Sequence, residues 1–238
     1  MSSEGLGVLM AGAAVKGATT AIAKKFIDDV ISPYLRGMES KKVESTLKAK
    51  LSRYARIIEY KTRIVPTFVN ANGALSLDII YEPLTVHSLF DGFESLINGY
   101  PTTLFQKSRC IAITDDAGMG KSTLAKYIVR KSVSEARNIP LLVELRRVRA
   151  GKSIIESICE ELSGSTAGSI EADSLIELFS RGNFIFVFDG FDEVEESLRP
   201  AIVSEINNIS STFQFCYFVL TSRPEYSVSL FPDFFQVG

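Results

Sequence analysis

The most constraining feature of this sequence is a glycine-containing loop that lies between a strand pattern and a helix pattern. Residues 108–114 read SRCIAIT, a run short and apolar enough for a buried strand, and DDAGMGKST follows over residues 115–123. Apolar residues then recur at helical spacing from Leu124 to Val129. A strand, a glycine loop and a helix that begins at Gly-Lys-Ser form the context that a phosphate-binding loop requires. The sequence therefore predicts that phosphate groups bind here.

Each position of this loop has an expected role toward a nucleotide. Backbone N–H groups of the loop and of the helix N-terminus would point at the phosphates, where the helix dipole favours negative charge. Lys121 would reach the β- and γ-phosphates, Ser122 would place its hydroxyl on Mg²⁺, and Thr123 would lie on the α-phosphate side. The predicted nucleotide-binding residues are Asp115, Asp116, Ala117, Gly118, Met119, Gly120, Lys121, Ser122 and Thr123.

The loop departs from the usual Gly-x-x-x-x-Gly-Lys-Ser pattern at its first position, where this chain has Asp115. Aspartate tolerates the left-handed backbone conformation better than most residues, so we expect the turn to form. The carboxylate would lie near a triphosphate unless a cation or an N–H group neutralised it. Whether Asp115 weakens binding is left open by the sequence.

A second block of acidic residues follows another apolar run. Residues 183–188 read NFIFVF and lead into Asp189-Gly190-Phe191-Asp192-Glu193. A carboxylate at the tip of a buried strand is costly unless it meets a cation, so we expect Asp189 to hold Mg²⁺ beside Ser122. Either Asp192 or Glu193 could orient or deprotonate an attacking water, with a slight preference for Glu193. The ordinary alternative is an acidic turn after a core strand.

A third apolar run, FCYFVL at residues 215–220, is followed by Thr-Ser-Arg-Pro. Ligands of open α/β sheets bind outside the carboxyl ends of the strands, so we expect Arg223 at the same edge as the phosphates and the metal. There it could sense the γ-phosphate. An ion pair of Arg223 with Asp192 or Glu225 is the alternative.

The order of the remaining patterns predicts an α/β fold. Residues 140–145 indicate a further strand, and residues 154–162, 174–179 and 198–209 indicate helices. Residues 80–86 favour an extended segment, and LFDGFESLI at residues 89–97 has apolar spacing suited to a short helix. Strands that alternate with helices predict a three-layer P-loop NTPase core with a mostly parallel sheet, preceded by a small helical N-terminal region.

The first part of the chain differs from the rest in charge. Residues 1–63 hold 12 Lys and Arg against 6 Asp and Glu, a net charge of +6, whereas the remainder carries −8. We therefore expect three regions, namely a helical arm over 1–65, a connector over 66–105 and a nucleotide-binding domain over 106–238. The predicted helices of the arm carry basic faces. We expect these faces to be exposed to solvent rather than to bind lipid or nucleic acid, so no specific nucleic-acid partner is predicted.

The stretch Gly5–Ala23 is rich in glycine, alanine and threonine and contains the single charge of Lys16. It lacks the positive start of a secretory signal and the strongly apolar composition of a spanning helix. A helix that packs through small residues is the preferred interpretation, and membrane contact of the N-terminus is the alternative.

Composition excludes several classes of protein. The hydrophobic fraction of 46% with 23% charged residues is typical of a globular chain. Cys110, Cys159 and Cys216 lie far apart, and His87 is the single histidine, so neither a zinc site nor a Ser-His-Asp hydrolase fits. We expect buried thiols and a structural or surface imidazole.

DDAGMGKST, FIFVFDGFDEV and FVLTSRPEY together resemble the NACHT family of signal-transducing NTPases within the STAND group. This resemblance covers about residue 80 to the end, while residues 1–65 match no known effector. It implies a switch that binds ATP or GTP with Mg²⁺ and self-associates on activation, in innate immunity or antiviral defence. Such a switch is expected in the cytoplasm, and a peripheral position at a membrane is the alternative. The resemblance also implies that Lys121 and Ser122 bind phosphate and Mg²⁺, that Asp189 holds Mg²⁺, that Asp192 or Glu193 supports hydrolysis, and that Arg223 is the sensor.

Family members continue into helical and sensor domains, so we expect the chain to be truncated at its C-terminus and to depend on such domains or on a partner protein. Slow regulatory hydrolysis is expected rather than rapid turnover. The competing interpretations are a nucleotide-binding adaptor without hydrolysis, a small-molecule kinase, and a membrane-damaging effector in the N-terminal helices that the NTPase holds silent.

Overall fold

One long helix, several short helical segments and two antiparallel strand pairs precede the main sheet. The computed structural model describes residues 21–38, 40–65, 75–88, 90–164, 170–227 and 229–238. Helical residues 21–26 lead into the π-helical turn Ile27–Ile31. The next elements are α1 (Ser32–Leu35), α2 (Lys41–Arg63), β1 (Ile64–Val65), β2 (Leu75–Ser76), α3 (Leu77–Ile80), β3 (Leu84–His87), β4 (Glu94–Ile97) and α4 (Thr102–Lys107). Strand β1 pairs with β2, and β3 pairs with β4.

The remaining elements alternate between strands and helices. They are β5 (Cys110–Thr114), α5 (Lys121–Ser134), β6 (Ile139–Glu144), α6 (Ile154–Ser163), α7 (Ala172–Ser180), β7 (Phe184–Asp189), α8 (Arg199–Thr212), β8 (Tyr217–Ser222), α9 (Pro224–Ser227) and β9 (Phe235–Val237). Two 3₁₀ turns, Leu145–Arg147 and Phe191–Glu193, follow β6 and β7. The five strands β5 to β9 form one sheet in the order β6-β7-β8-β5-β9, and every pair is parallel.

This architecture confirms the predicted α/β fold with a parallel sheet and a helical region before it. Continuous apolar runs form the strands because a parallel sheet flanked by helices is buried on both faces. Every residue of β5 is buried, and β7 is buried up to Asp189 at its end. Strand β8 lies between β5 and β7, so the carboxyl ends of all three strands meet at one edge.

The short helix predicted over residues 89–97 is wrong. Glu94–Ile97 is strand β4, which pairs with β3 from Leu84↔Ile97 to His87↔Glu94. The burial alternates along β4, with Ser95 and Ile97 buried and Leu96 exposed. Pairing with β3 therefore overrides the apolar spacing that had indicated a helix.

Helix α2 packs against α5 and covers the outer edge of the sheet. Its buried face includes Leu51, Ala55 and Ile58, and burial of each large apolar side chain stabilises the fold by about 1.5–3 kcal/mol. The hydroxyl of Tyr54 accepts a hydrogen bond of 3.0 Å from the backbone N–H of Leu142 on β6, which satisfies an edge donor. The described part of the N-terminal region therefore shares the core of the sheet, and the limits 1–65, 66–105 and 106–238 stay a prediction.

Several sequence expectations concern residues away from this core. Of the stretch Gly5–Ala23, residues 5–20 lie outside the described part of the chain. In the described part, no helix has the length and apolar character needed to cross a membrane. His87 lies at the surface, with Nδ1 3.7 Å from Glu94 Oε2 across the strand pair. Cys110 and Cys216 are buried free thiols as expected, whereas Cys159 is a free thiol that is only partly buried.

Candidate functional site

The loop between β5 and α5 turns through glycines at its fourth and sixth positions. Gly118 and Gly120 have φ angles of +85° and +90°, the left-handed region that glycine adopts without strain. Asp115 does not lie in this region, because Ala136 and Asn183 are the non-glycine residues with positive φ in the described chain. The turn therefore forms without a left-handed conformation at Asp115, and an aspartate at the first position of the loop causes no backbone strain.

The side chain of Lys121 binds the backbone of the first two residues of the loop. Its ammonium Nζ donates hydrogen bonds of 2.6 Å to the carbonyl oxygen of Asp115 and 2.7 Å to that of Asp116. The backbone N–H of Asp116 donates to the Asp115 carboxylate at 2.8 Å, so this N–H group is not directed at the centre of the loop. A phosphate at the loop would compete with two neutral carbonyls for the lysine, and a charged acceptor makes the stronger hydrogen bond.

A chain of hydrogen bonds joins the loop helix to the tips of β7 and β8. The hydroxyl of Ser122 donates to Asp189 Oδ1 at 3.0 Å, and the hydroxyl of Thr221 donates to the same oxygen at 2.7 Å. Thr221 also accepts the backbone N–H of Gly190 at 2.9 Å. A hydroxyl has one proton, so acceptance from Gly190 directs the proton of Thr221 to Asp189. The carboxylate is thereby held in one orientation beside Ser122.

This hydroxyl and carboxylate pair fits a magnesium ion. Mg²⁺ prefers oxygen ligands and is usually held by one or two protein groups, with phosphate oxygens and waters completing the octahedron. Among the described residues, no group of three or more His, Cys, Asp or Glu side chains could hold a metal without such help. Ser122 and Asp189 are therefore the residues that would hold Mg²⁺, provided that a phosphate group supplies further oxygens.

The acidic turn after β7 is fixed by cationic side chains. Gly190 has φ +77°, and the 3₁₀ turn Phe191–Glu193 follows it. Arg223 Nε lies 3.0 Å from Asp192 Oδ2, so the structure has the ion pair with Asp192 that the sequence left as an alternative to sensing. Arg199 donates to the backbone carbonyl of Asp192 at 3.3 Å. The Asp192 side chain is 12% exposed, whereas that of Glu193 is 47% exposed and is the more accessible carboxylate.

These elements enclose a cleft of about 310 Å³, the size of a small-molecule site. Its lining residues are Ala117, Gly118, Gly120, Lys121, Ser122, Thr123, Gly190, Asp192, Glu193, Thr221 and Arg223. Of the other predicted residues, Asp115 and Asp116 contact Lys121, Asp189 contacts Ser122, and Met119 is 59% exposed outside the lining. The structure thus brings together the loop, the acidic turn and Arg223, which lie far apart in the sequence.

The family model of the NACHT domain matches residues 109–234, which include the whole of this cleft. The chain belongs to the NACHT family. This membership indicates that the domain is an NTPase that binds and hydrolyses a nucleotide, with Mg²⁺ as the usual metal. The matched residues make up more than half of the chain and run from Arg109, just before β5, to Phe234, just before β9.

Other similarities are more distant. No curated protein matches the sequence. Among solved structures, the NACHT chain is similar to the structure of C. elegans PCH-2 with 14% sequence identity and a TM-score of 0.35. The match covers 91% of this chain and 46% of that chain. A similarity at this level bears on neither the fold nor the function of the NACHT chain.

Two residues of the NACHT site had no role in the sequence analysis. Thr221 could have been found, because a polar residue at the carboxyl end of a strand next to β7 must lie near Asp189. Arg146 pairs with Glu193 at 3.1 Å and gives no such signal, because its role depends on β6 lying beside β7.

A second cleft, of about 320 Å³, lies between α2, β6 and α6, with Lys61, Leu142 and Lys152 in its lining. It contains no glycine loop, and three of its four cationic side chains are paired, Lys61 with Glu161, Lys152 with Glu160 and Arg147 with Glu144. The edge formed by β5, β7 and β8 is therefore the candidate nucleotide site.

Proposed function

We propose that the chain is a switch that binds ATP with Mg²⁺ at the carboxyl edge of β5, β7 and β8 and hydrolyses it slowly. The observation that carries this proposal is the convergence of Lys121, Ser122 and Asp189. Lys121 supplies a cation for the phosphates. The Ser122 hydroxyl and the Asp189 carboxylate, 3.0 Å apart, supply the oxygen ligands that a Mg²⁺–triphosphate requires. ATP is preferred to GTP, and the binding experiment below includes both.

Each residue of the cleft has a proposed role. The loop 115–123 binds the phosphates through backbone N–H groups, and Lys121 contacts the β- and γ-phosphates. Bound Mg²⁺ would neutralise charge that develops on the phosphates. Glu193, or Asp192, accepts a proton from water while the water oxygen bonds to the γ-phosphorus. The bond from that phosphorus to the bridging oxygen breaks, and its electron pair stays on ADP.

Slow turnover follows from how these groups are engaged. Asp192 is paired with Arg223, and Glu193 is paired with Arg146. A γ-phosphate in the cleft would compete with Asp192 for the guanidinium of Arg223. The γ-phosphate, with more negative charge than one carboxylate, is a competitive partner for this guanidinium. We propose that this exchange is how Arg223 senses the triphosphate.

The wider role is also proposed from family membership. The chain acts in innate immune or antiviral defence in the cytoplasm, and it self-associates when a sensor domain or partner protein signals. Residues 1–65 are an effector or adaptor arm. Helix α2 of the arm packs on α5, which begins at Lys121. A shift of α5 would therefore displace α2. Light scattering with ADP and with a slowly hydrolysed ATP analogue tests self-association, and equal masses in both would contradict it.

Calorimetric titration of the chain with ATP and GTP, with Mg²⁺ or with EDTA, tests nucleotide binding. Loss of a charge-assisted contact is worth roughly 1.5–3 kcal/mol, so we expect Lys121→Ala to weaken ATP binding by roughly 10- to 100-fold. Lys126→Ala is the matched control, because Lys126 lies on the same helix and does not line the cleft. Asp189→Asn should remove most of the difference between Mg²⁺ and EDTA. Equal affinities for wild type and Lys121→Ala would refute the proposal.

A second candidate is an adaptor that binds nucleotide without hydrolysing it. The pairing of both acidic side chains with arginines favours it. Single-turnover assays with excess protein distinguish the two, since the adaptor would retain radiolabelled ATP unchanged over hours. Contact of residues 1–65 with a membrane is a further possibility for the arm, which flotation with anionic vesicles would test.

A further inference from the structure

Two 3₁₀ turns meet at the ends of neighbouring strands, and one arginine connects them. Strands β6 and β7 pair up to Glu144↔Asp189, so the turns Leu145–Arg147 and Phe191–Glu193 begin side by side. Arg146 places Nη1 3.1 Å from Glu193 Oε2 and Nη2 3.2 Å from Glu144 Oε2. The proposed proton acceptor is therefore bound to a cation that comes from outside the three strands of the nucleotide cleft.

The direction of this contact matters for the chemistry. In the order β6-β7-β8-β5, β6 lies on the side of β7 opposite to the loop strand β5. Arg146 therefore contacts the Glu193 carboxylate from the side of β7 that lies opposite to the loop.

Stability of the fold does not account for this pair. The side chains of Arg146 and Glu193 are 56% and 47% exposed, and ion pairs in such positions contribute little to folding. The Glu193 carboxylate folds back over Gly190, where an added Cβ would lie 3.3 Å from the Glu193 carboxyl carbon. Glycine at this position thus leaves room for the Glu193 side chain to lie in the paired position.

Arg146 has a second carboxylate partner besides Glu193. Glu144 accepts from the other terminal nitrogen of Arg146, so release of Glu193 leaves the guanidinium paired. The neighbouring carboxylates Glu144 and Glu193 raise the pKa of Arg146, and the guanidinium stays charged throughout. Movement of Glu193 toward the nucleotide therefore breaks one exposed ion pair and leaves Arg146 paired with Glu144.

We propose that Arg146 is a positioning residue that holds Glu193 in a resting position away from the nucleotide and thereby slows hydrolysis. This inference rests on the proposed function, since it concerns the proton acceptor of that reaction. Release of Glu193 from Arg146 is then the local event that converts the bound site from slow to faster turnover.

The test is single-turnover hydrolysis by the full chain, with the nucleotide dissociation constant measured on the same samples. An exposed pair biases two positions by a small factor, so Arg146→Ala should hydrolyse ATP about two- to fivefold faster than wild type. The dissociation constant should stay unchanged, because Arg146 does not line the nucleotide cleft. Arg146→Lys, which keeps the positive charge, should retain a rate close to that of wild type.

Arg147→Ala is the matched control. Arg147 lies on the same turn, is 67% exposed and pairs with Glu144 at 3.0 Å, but it does not contact Glu193 in the structure. We expect it to hydrolyse ATP at the wild-type rate. Glu193→Gln should be slow, and the Arg146→Ala change should not speed it, because the effect of Arg146 acts through Glu193.

Several results would overturn the inference. If Arg146→Ala binds ATP normally but hydrolyses it no faster than wild type, the pairing does not restrain Glu193 and the nucleotide switch is unaffected. An equal acceleration by Arg147→Ala would assign the effect to surface charge. Failure of the wild-type chain to bind nucleotide would overturn the proposed function and this inference together.

Discussion

Replacement of Arg130 should reveal how strongly the loop helix depends on the helices before it. Arg130 lies on α5, and its Nη1 is 3.1 Å from Glu59 Oε1 on α2, while Nε donates to Asp78 Oδ1 on α3 at 2.7 Å and Nη2 contacts the second Asp78 oxygen. The side chains of Arg130 and Glu59 are 3% and 1% exposed, and that of Asp78 is 39% exposed. One buried cation thus joins three helices.

The expected cost follows from this burial. Arg130→Ala leaves Glu59 buried without its cation, and Oε2 of Glu59 already has no hydrogen-bond partner. Removal of one member of a buried ion pair costs about 3–5 kcal/mol, a large share of the 5–15 kcal/mol that stabilises a typical domain. For a chain of this size the melting temperature should fall by roughly 6–20 °C. Replacement of both Glu59 and Arg130 by leucine and methionine should recover most of the loss.

Urea unfolding followed by circular dichroism measures these free energies. Lys131→Ala is the control, because Lys131 is the next residue on α5, contacts the Tyr127 ring at 5.1 Å, and acts on Asp78 through its charge alone rather than through an ion pair. Its cost should be less than about 1 kcal/mol. If Arg130→Ala unfolds within about 1 kcal/mol of wild type, the cluster does not hold α2 and α3 to the loop helix.

Further outcomes can be measured independently. Thr221→Val should weaken Mg²⁺ binding in the presence of ATP by roughly tenfold, because it removes the hydrogen bond that orients the metal carboxylate, whereas Ser222→Ala should not, since its hydroxyl has no partner in the structure. Burial alone would raise the pKa of Asp78, but the hydrogen bond and charge of Arg130 outweigh it and the pKa is lowered, so the stability that Asp78 contributes is present above about pH 4 and is lost as the pH falls below it. Acid titration should therefore destabilise wild type more than Asp78→Asn, and an identical pH dependence would contradict this assignment. Burial raises the pKa of Cys110 and of Cys216 to about 11, so both thiols should react with iodoacetamide far more slowly at pH 8 in the folded chain than in urea.

The sequence predicts the parts of this fold that depend on short-range patterns. Residues 110–114 and 184–189 form strands because their apolar runs are too short for helices and are buried on both faces. The glycine loop, the acidic turn and Arg223 could be placed at one edge because parallel strands all point the same way. Residues 94–97 could not be assigned correctly, since the hydrogen bonds to β3 decide their structure.

Two contacts between distant charges have no signal in the sequence. Arg146 and Glu193 are 47 residues apart, and Arg130 and Glu59 are 71 apart. Their pairing depends on the order of the strands and on the face of α5 that α2 covers, neither of which has a local signature. The residues that hold the site at rest are therefore harder to predict than the residues that bind the ligand.

Amide hydrogen exchange of the chain, with and without saturating ATP and Mg²⁺, tests most directly where the nucleotide binds. The account predicts slower exchange in residues 115–123 and at the carboxyl ends of β7 and β8, with EDTA reducing the effect at Asp189. Unchanged exchange in the loop, together with slower exchange around Lys61, Leu142 and Lys152 in the second cleft, would contradict it.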